Sequence, residues 1–196
     1  MGYKVIAFIG PSGCGKDFAI KFLSSKYKEQ VHKVVVTTTR PPRDYEKDGI
    51  DYNFVDTTNF AHDLLQTKNM ITASVFNSWA YGINIEDLDI NKINVVVLDK
   101  MMLDNIMAEG TNSNFDIFEI WYVATKDKKR LKHILDREES PDCCEVCRRF
   151  LADKKDFNEE FKEELFEQNN CYIIKNNYDN KFLKRLSKII KSYKND

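Results

Sequence analysis

The chain has 196 residues, 42% of them hydrophobic, which suffices for one compact α/β domain but is short for two. Its 30 basic and 31 acidic residues give a net charge of −1, which argues against recruiting a nucleic acid polymer or an acidic membrane through a general positive field. No apolar run approaches the roughly 20 residues of a membrane span, and the N-terminus enters a strand without a basic leader. We therefore expect a cytoplasmic protein, a monomer or homodimer, in which any anion binding is local.

The first predicted elements enclose a glycine-rich loop. Residues 3–9 are a near-continuous apolar run that predicts a buried strand, and a helix is expected over 16–27. Between them, G-P-S-G-C-G-K-D matches the phosphate-loop pattern G-x-x-x-x-G-K-[ST] except at its last position. Glycines let successive N–H groups turn toward one anion, the helix start adds its positive end, and the lysine adds a mobile charge. We expect ATP phosphates to bind at Gly10, Pro11, Ser12, Gly13, Cys14, Gly15, Lys16 and Asp17.

Asp17 is the departure from this pattern, because it stands where a serine or threonine hydroxyl normally meets magnesium. A carboxylate is also a hard oxygen ligand, so we expect Asp17 to bind Mg²⁺ directly or through a water molecule. Its charge would repel the triphosphate unless the metal lay between them. The alternative is that Asp17 only favours the positive end of the helix.

Residues 34–36 predict a second strand, and the segment after it, 37–55, lacks helical periodicity and is rich in turn-forming residues. Two prolines make the backbone between Arg40 and Arg43 stiff and extended. Two guanidinium groups at a fixed separation suit bidentate capture of a phosphate.

The rest of the chain alternates helical and strand patterns. The predicted helices are 59–66, 100–108, 126–137, 145–167 and 180–193, and the predicted strands are 93–98, 117–124 and 171–175, with an irregular β-rich stretch up to residue 89. Such alternation implies a parallel sheet covered on both faces, with ligands at the carboxyl ends of its strands.

Three of the five cysteines cluster at Cys143, Cys144 and Cys147. In a reducing cytoplasm these residues would stay thiols. A zinc site needs a fourth ligand, which is not visible beside the cluster, although His133 could be folded near it. Metal binding is therefore an open alternative for this cluster.

The phosphate loop and the arginine segment together resemble the guanylate kinase family. The resemblance continues from the loop through Thr38-Thr39-Arg40-x-Pro42-Arg43, Glu46, Gly49, Asp51-Tyr52-x-Phe54-Val55, Tyr81-Gly82, Val95-Val96-Val97-Leu98-Asp99 and, faintly, Tyr172-Ile173-Ile174-Lys175-Asn176. It implies an α/β P-loop fold of three layers with a central parallel sheet, a small inserted β-rich monophosphate-binding subdomain and a helical lid. The single domain 1–196 would comprise a core (1–37, 91–137 and 168–196), the insert (38–90) and the lid (138–157).

The same resemblance implies a nucleoside monophosphate kinase that uses ATP and Mg²⁺ and whose partners are small-molecule nucleotides. Its catalytic residues would be Lys16 with lid arginines, namely Arg137 and either Arg148 or Arg149. The alternative for these arginines is a solvated, charge-rich helix face. Asn176 would contact ATP.

On the acceptor side, the resemblance assigns the monophosphate clamp to Arg40, Arg43, Tyr52 and Tyr81. Asp99, at the end of the strand over 93–98, would hold magnesium through water. Its alternative role is to cap the helix that follows.

The acceptor base is where the chain departs from the family. Guanine is read there by a glutamate, two hydroxyl side chains and an aspartate, and the aligned residues here are Thr72, Val36, Ile83 and Met101. None keeps the expected group, so we expect altered or relaxed base choice, as in phage-type deoxynucleotide kinases, which would act in the host cytoplasm. The alternatives are a strict guanylate kinase for GMP and dGMP, a kinase of a non-nucleotide phosphate ester, and a catalytically silent interaction domain. The retained Gly15-Lys16 argues against the last.

Overall fold

The computed structural model describes residues 2–43, 46–67, 69–76, 78–108, 115–136 and 141–193. Its strands are β1 Tyr3–Ile9, β2 Val31–Lys33, β3 Thr37–Thr38, β4 Asn53–Phe54, β5 Met70–Phe76, β6 Trp79–Asn84, β7 Ile93–Val97, β8 Phe115–Ala124 and β9 Cys171–Lys175. Its helices are α1 Lys16–Lys26, α2 Thr57–His62, α3 Lys100–Ala108, α4 Asp127–Leu135, α5 Cys143–Asp156, α6 Glu159–Phe166 and α7 Asn180–Ser192. Among the described residues, no helix combines the length and the apolar character needed to cross a membrane.

The strands form two sheets. One has five strands in the order β2-β7-β1-β8-β9, and the other has four in the order β4-β3-β6-β5. In the larger sheet β2 pairs with β7 and β8 with β9, both in parallel. Ile6, Phe8 and Ile9 of β1 and Val95 of β7 are fully buried, as expected where helices cover both faces of a parallel sheet. The predicted α/β fold with a central parallel sheet is confirmed.

The chain divides into two compact units. The first comprises Met1–Ile6 with Glu29–Phe118, and the second comprises Ala7–Lys28 with Glu119–Asp196. The first contains the smaller sheet and the arginine segment, and the second contains the phosphate loop and helices α4 to α7. The division into core, insert and lid stays a prediction.

The prediction of a strand at residues 34–36 is wrong. The strand that pairs with β7 here is β2, which ends before residue 34. Val34 N–H still donates to Val95 O of β7 at 3.0 Å, whereas Val36 O accepts from Asn53 N–H at the start of β4 at 3.0 Å. The chain therefore passes from the larger sheet to the smaller one over these residues. Apolar side chains alone do not distinguish a strand from such a crossing.

The short helix predicted over 59–66 begins earlier than expected. Asp56 caps α2, since its Oδ1 accepts a hydrogen bond from Asn59 N–H at 2.8 Å. After α2 the chain continues as a π-helical turn, Asp63–Thr67.

The single helix predicted over 145–167 is wrong, because the structure has two helices, α5 and α6. Asn158 separates them by capping α6, with Oδ1 accepting from Phe161 N–H at 2.8 Å. Phe157, the C-cap residue directly after α5, packs on Tyr122 with ring centroids 6.1 Å apart and on Phe161 at 5.6 Å. A prediction based on helical periodicity does not readily detect an N-cap residue inside a charged segment that favours helix.

Candidate nucleotide-binding sites

Three glycines give the phosphate loop a backbone that other residues adopt poorly. The φ angles of Gly10, Gly13 and Gly15 are 141°, 75° and 99°. A Cβ at Gly13 would lie 2.6 Å from Ile134 Cγ1, and a Cβ at Gly15 would lie 2.4 Å from Asn176 Nδ2. Gly15 is also the N-cap of α1, so the helix begins directly at the loop. This is the geometry of an anion-binding loop at a helix N-terminus.

Lys16 folds back over its own loop. Its Nζ donates to Gly10 O at 2.6 Å and to Pro11 O at 3.2 Å. Cys14, in the same loop, is fully buried, and this burial raises the pKa of its thiol although the charge of Lys16 opposes the shift. Lys16 therefore places a cation inside the loop, whereas Cys14 is a neutral packing residue.

Asn176 supports the loop from the end of β9. The residue is 2% exposed, its Nδ2 donates to Cys14 O at 2.8 Å, and its Oδ1 accepts from Tyr178 N–H at 2.7 Å. Thr125 Oγ1 donates to the backbone carbonyl of Asn176 at 2.9 Å. Because its amide is engaged within the protein, the structure shows Asn176 bracing the loop, and contact with ATP stays a prediction.

A buried ion pair contacts the loop at Ser12. Asp153, on α5, accepts hydrogen bonds from Ser12 N–H at 3.0 Å and from Ser12 Oγ at 3.2 Å. Arg130, on α4, donates from Nη1 to Asp153 Oδ2 at 2.9 Å and to Ser12 O at 3.3 Å. The side chains of Arg130 and Asp153 are 1% and 11% exposed, and the Arg130 guanidinium carbon lies 4.1 Å from the centroid of the Phe150 ring. The loop is thus tied to two helices.

The two described arginines of the predicted lid share one carboxylate. Glu145 accepts from Arg148 Nε at 2.6 Å and from Arg149 Nε at 2.7 Å. The hydrogen bond from Arg148, with that from Arg149, lowers the pKa of Glu145 to about 2. Their action on a phosphoryl group stays a prediction, and Arg137 lies outside the described residues.

The two carboxylates predicted to bind magnesium have different surroundings. Asp17 is exposed in the first turn of α1, a position that suits both a metal ligand and a helix-end charge. Asp99 Oδ1 accepts from Met102 N–H at 2.8 Å and Oδ2 accepts from the Ser74 hydroxyl, which confirms that Asp99 caps α3. Magnesium commonly takes one or two carboxylates together with substrate phosphates, so these oxygen donors suit the ion. Both metal assignments stay predictions.

In the first unit, Glu46 joins the arginines predicted to hold the acceptor phosphate. Arg40 Nη2 lies 2.8 Å from each Glu46 carboxylate oxygen, and Glu46 also accepts from Arg43 N–H at 2.9 Å. Burial disfavours the charged form of Arg40, but its hydrogen bond with Glu46 outweighs that effect, so the pKa of Arg40 is raised. The Arg40 guanidinium carbon lies 5.3 Å from the Tyr52 ring centroid, and Tyr52 packs edge-on against Tyr81 at 6.2 Å. The structure therefore joins the four residues of the predicted clamp in one cluster, in which Glu46 contacts the two arginines and the two tyrosines lie on the Arg40 side.

The four positions that the resemblance predicts to face the acceptor base are apolar or already hydrogen-bonded. Thr72 and Ile83 are register partners across the β5–β6 hairpin and are 5% and 4% exposed. Thr72 Oγ1 donates to Met102 O at 2.9 Å, and Ile83 lines an apolar cavity. Val36 is half-buried, and Met101 is exposed near the start of α3.

Each cysteine of the cluster is a free thiol in the part of the chain that the structure describes. Cys143, Cys144 and Cys147 are exposed free thiols on the first turns of α5. Within the ranges that the structure describes, no three His, Cys, Asp or Glu side chains are arranged to hold a metal ion. His133, the suggested extra ligand, instead stacks on Tyr178 with ring centroids 4.8 Å apart.

Three residues of these sites have no role in the prediction from sequence, namely Glu46, Arg130 and Asp153. Glu46 lies in the segment that resembles the guanylate kinases, three residues after Arg43, so an acid beside two clamp arginines was an available signal. Arg130 and Asp153 are 23 residues apart in helices rich in charge, and no pattern in the sequence marks their pairing.

A glycine loop that follows a strand of a parallel sheet and begins a helix, with a lysine folded over it, defines a P-loop nucleotide-binding protein. The family model of the guanylate kinases matches residues 2–193. The chain belongs to the guanylate kinase family.

Relatives of the chain carry the same family name. It is 39% identical to the guanylate kinase of Frankia casuarinae over 82 residues, which are 42% of this chain and 42% of that protein. It is 29% identical to the guanylate kinase of Helicobacter hepaticus over 142 residues, which are 70% of this chain and 68% of the relative. The crystal structure of guanylate kinase from Anaplasma phagocytophilum has the same fold, with a TM-score of 0.58 at 20% identity over 98% of this chain and 86% of that one. The chain thus spans less than half the length of the Frankia relative.

Proposed function

We propose that the protein transfers the γ-phosphoryl group of ATP to a (deoxy)nucleoside 5′-monophosphate, which gives ADP and the nucleoside diphosphate. The observation that carries the proposal is that one chain contains two arrangements suited to phosphate. One is the glycine loop with Lys16 in the second unit, and the other is the pair Arg40 and Arg43 around Glu46 in the first. Transfer between two nucleotides needs one anion site for the donor and one for the acceptor. Membership of the guanylate kinase family supports the same reaction.

The donor site would consist of the loop N–H groups and Lys16. Phosphoryl transfer depends on positioning and charge stabilisation and needs no nucleophilic side chain. Lys16 Nζ contacts two neutral carbonyls, and a triphosphate would instead offer it an anionic acceptor, so that both the donor and the acceptor of the hydrogen bond would be charged. Asp17 would hold Mg²⁺ at the donor site, and the bound ion would supply charge neutralisation to the phosphates.

The lid arginines would stabilise charge on the transferred group. Arg148 and Arg149 are both held by Glu145, so a phosphoryl oxygen would compete with Glu145 for their donors. One carboxylate holding two guanidinium groups keeps both cations in a defined place before the nucleotide arrives.

The acceptor clamp would hold the α-phosphate through Arg40, Arg43, Tyr52 and Tyr81. Such a clamp does not sense the base, so base choice depends on other positions. We infer altered or relaxed base choice, since Val36, Ile83 and Met101 carry no hydrogen-bonding side chain and the Thr72 hydroxyl is bonded to Met102 O. The names of the relatives favour the alternative of a strict guanylate kinase.

A screen of acceptors tests both parts of the proposal. The protein is incubated with ATP, Mg²⁺ and each of the common ribo- and deoxyribonucleoside monophosphates or sugar phosphates, and ADP and the phosphorylated product are measured by chromatography. We expect diphosphate from more than one base. Product from GMP and dGMP alone would select strict guanylate kinase activity, and product from sugar phosphates alone, or no product, would contradict the proposed reaction.

The variant Arg43→Ala shows whether the clamp senses the base. It should lower kcat/KM for all accepted monophosphates by a similar factor of about ten, because one charge-assisted phosphate contact is lost. The matched control is Arg185→Ala, since Arg185 donates to Lys175 O at the surface and should leave every kcat/KM unchanged.

A further inference from the structure

The ion pair of Arg130 and Asp153 meets every polar group of Ser12. Asp153 accepts from the N–H and from the hydroxyl, and Arg130 donates to the carbonyl oxygen. Ser12 directly precedes Gly13, whose left-handed backbone shapes the phosphate loop. A displacement of the ion pair would therefore displace the loop.

A contribution to folding stability does not by itself account for the ion pair of Arg130 and Asp153. Arg130 is almost fully buried, and an apolar pair of similar volume commonly stabilises a protein as well as a buried ion pair does. An apolar pair cannot present one donor and two acceptors to a single residue. The arrangement therefore supplies geometry at Ser12 that packing could not supply.

The charges around the pair are balanced. A lone carboxylate beside a loop that binds polyphosphate would weaken binding by repulsion. Here Arg130 neutralises Asp153 at 2.9 Å and also bonds Asp127 at 3.0 Å, and Lys154 forms an ion pair with Asp127. Two cations thus offset two anions, and Asp153 can hold Ser12 without a net negative charge.

The hydrogen bonds between Asp153 and Ser12 also orient α5, the helix that carries the predicted lid arginines. Arg149 and Asp153 are four residues apart in α5 and so lie on one face of it. The bonds from Asp153 to Ser12 fix that face toward the loop.

We infer that Arg130 and Asp153 are positioning residues for ATP. They hold Ser12, and through it the phosphate loop, and they set the face of α5 on which Arg149 lies. The effect on catalysis rests on the proposed function, whereas the effect on the loop does not.

The test compares Asp153→Asn, Arg130→Met and Arg130→Lys with the wild type. Asp153→Asn keeps the side-chain size and removes the charge, while Arg130 retains its ion pair with Asp127. The control is Leu165→Val in α6, which disturbs a buried residue away from the ion pair. The readouts are ATP affinity by calorimetry without acceptor, kcat and KM for both substrates, hydrogen exchange of the Ser12 amide, and the melting temperature.

We expect Asp153→Asn and Arg130→Met each to weaken ATP binding by about tenfold, as for losing one hydrogen bond to a charged group. Exchange of the Ser12 amide should accelerate, kcat should fall, and the acceptor KM should stay within about twofold. Arg130→Lys should restore only part of the affinity, because an ammonium lacks the planar fork that reaches Asp127, Asp153 and Ser12 together. Leu165→Val should lower the melting temperature without these changes.

Two results would overturn the inference. If the variants melt lower, as Leu165→Val does, but keep ATP affinity and Ser12 exchange, the pair is only structural. If Asp153→Asn binds ATP more tightly, Asp153 competes with the nucleotide. A wild type without kinase activity would contradict the proposed reaction alone, because Ser12 exchange and ATP affinity are measured without turnover.

Discussion

Arg40 and Glu46 form an ion pair in which one guanidinium nitrogen, Nη2, lies 2.8 Å from both carboxylate oxygens. Their side chains are 13% and 6% exposed, so the pair is well shielded from solvent. Glu46 also accepts from Arg43 N–H, so one acid organises both clamp arginines. The guanidinium groups that an acceptor phosphate would contact are therefore already oriented. The carboxylate of Glu46, however, would compete with the phosphate for them.

Replacing Glu46 with glutamine tests whether Glu46 affects phosphate binding more by orienting the arginines or by repelling the phosphate. Glu46→Gln removes the charge and one acceptor, so Arg40 loses a bond that fixes its direction. Because several hydrogen bonds are disturbed at a shielded site, we expect loss of orientation to dominate and KM to rise about tenfold for every monophosphate, with KM for ATP unchanged. The control is Glu86→Gln, an exposed acid that bonds Asn69. A lower KM in Glu46→Gln would show that repulsion by Glu46 is the larger effect.

Lys16→Ala should abolish transfer while leaving the fold intact. The variant removes the charge partner of the terminal phosphate, and Gly15 still shapes the loop. We expect kcat to fall by about 10²-fold or more, comparable to the loss of one preorganised stabilising group. The measurement is kcat together with the melting temperature. A variant that melts normally and turns over at nearly the wild-type rate would contradict the assignment of the phosphate loop.

The phosphate loop and the arginine segment could be found from the sequence because their signals are local. Spacing within a few residues defines Gly10, Gly15 and Lys16, and two prolines between arginines define the clamp. The α/β fold follows from apolar runs separated by helical patterns, and the structure confirms it.

What the sequence does not reveal depends on contacts between distant residues. Arg130 and Asp153 become a pair only when α4 and α5 pack together, and Thr72 is bonded to Met102 across the first unit. The crossing at 34–36 and the helix break at Asn158 are local features. The apolar pattern at 34–36 is equally compatible with a strand, and the pattern around Asn158 is equally compatible with a continuous helix. Tertiary contacts decide between such alternatives.

Asp17→Ser tests whether the carboxylate is a metal ligand. The variant restores the usual residue of the pattern, with a neutral hydroxyl. If Asp17 binds Mg²⁺, the magnesium concentration for half-maximal rate should shift and the ratio of rates with Mn²⁺ and Mg²⁺ should change. The measurement is a titration of each metal at saturating ATP. An unchanged titration and rate would leave only the role of Asp17 at the positive end of α1.

Asp87→Asn should stabilise the protein at neutral pH. Burial raises the pKa of Asp87, and within the described residues its Oδ2 has no hydrogen-bond partner. Because the pKa of Asp87 in the folded protein lies above its ordinary value of 3.8, ionisation of Asp87 destabilises the folded state. This destabilisation is absent below pH 3.8 and complete above the raised pKa. We expect a gain of about 1 kcal/mol at pH 7, the low end of the cost of an unpaired polar atom, since Asp87 is only half-buried.

Urea unfolding of the wild type and Asp87→Asn at several pH values measures this gain, which should shrink as pH falls toward 3.8. The control is Asp104→Asn, since Asp104 is an exposed partner of Lys100 and should give no such gain. Equal stabilities of the wild type and Asp87→Asn at neutral pH would contradict the penalty.

Thr72 is the residue that the resemblance to the guanylate kinases places where the family has its guanine-reading glutamate. Its hydroxyl is buried and donates to Met102 O at 2.9 Å, so it is not directed at a ligand. Thr72→Val should therefore leave the ranking of kcat/KM among the four deoxynucleoside monophosphates unchanged. It should cost about 1 kcal/mol of stability, because the buried hydrogen bond from the Thr72 hydroxyl to Met102 O is lost. Glutamate is longer than threonine and can extend beyond Met102 O, so if the alignment with the family's glutamate is right, Thr72→Glu brings a carboxylate to the two donors of guanine and should raise kcat/KM for dGMP about tenfold relative to the other three. A wild type that already uses only dGMP, or a Thr72→Val variant with a changed ranking, would show that Thr72 or residues not named here read the base.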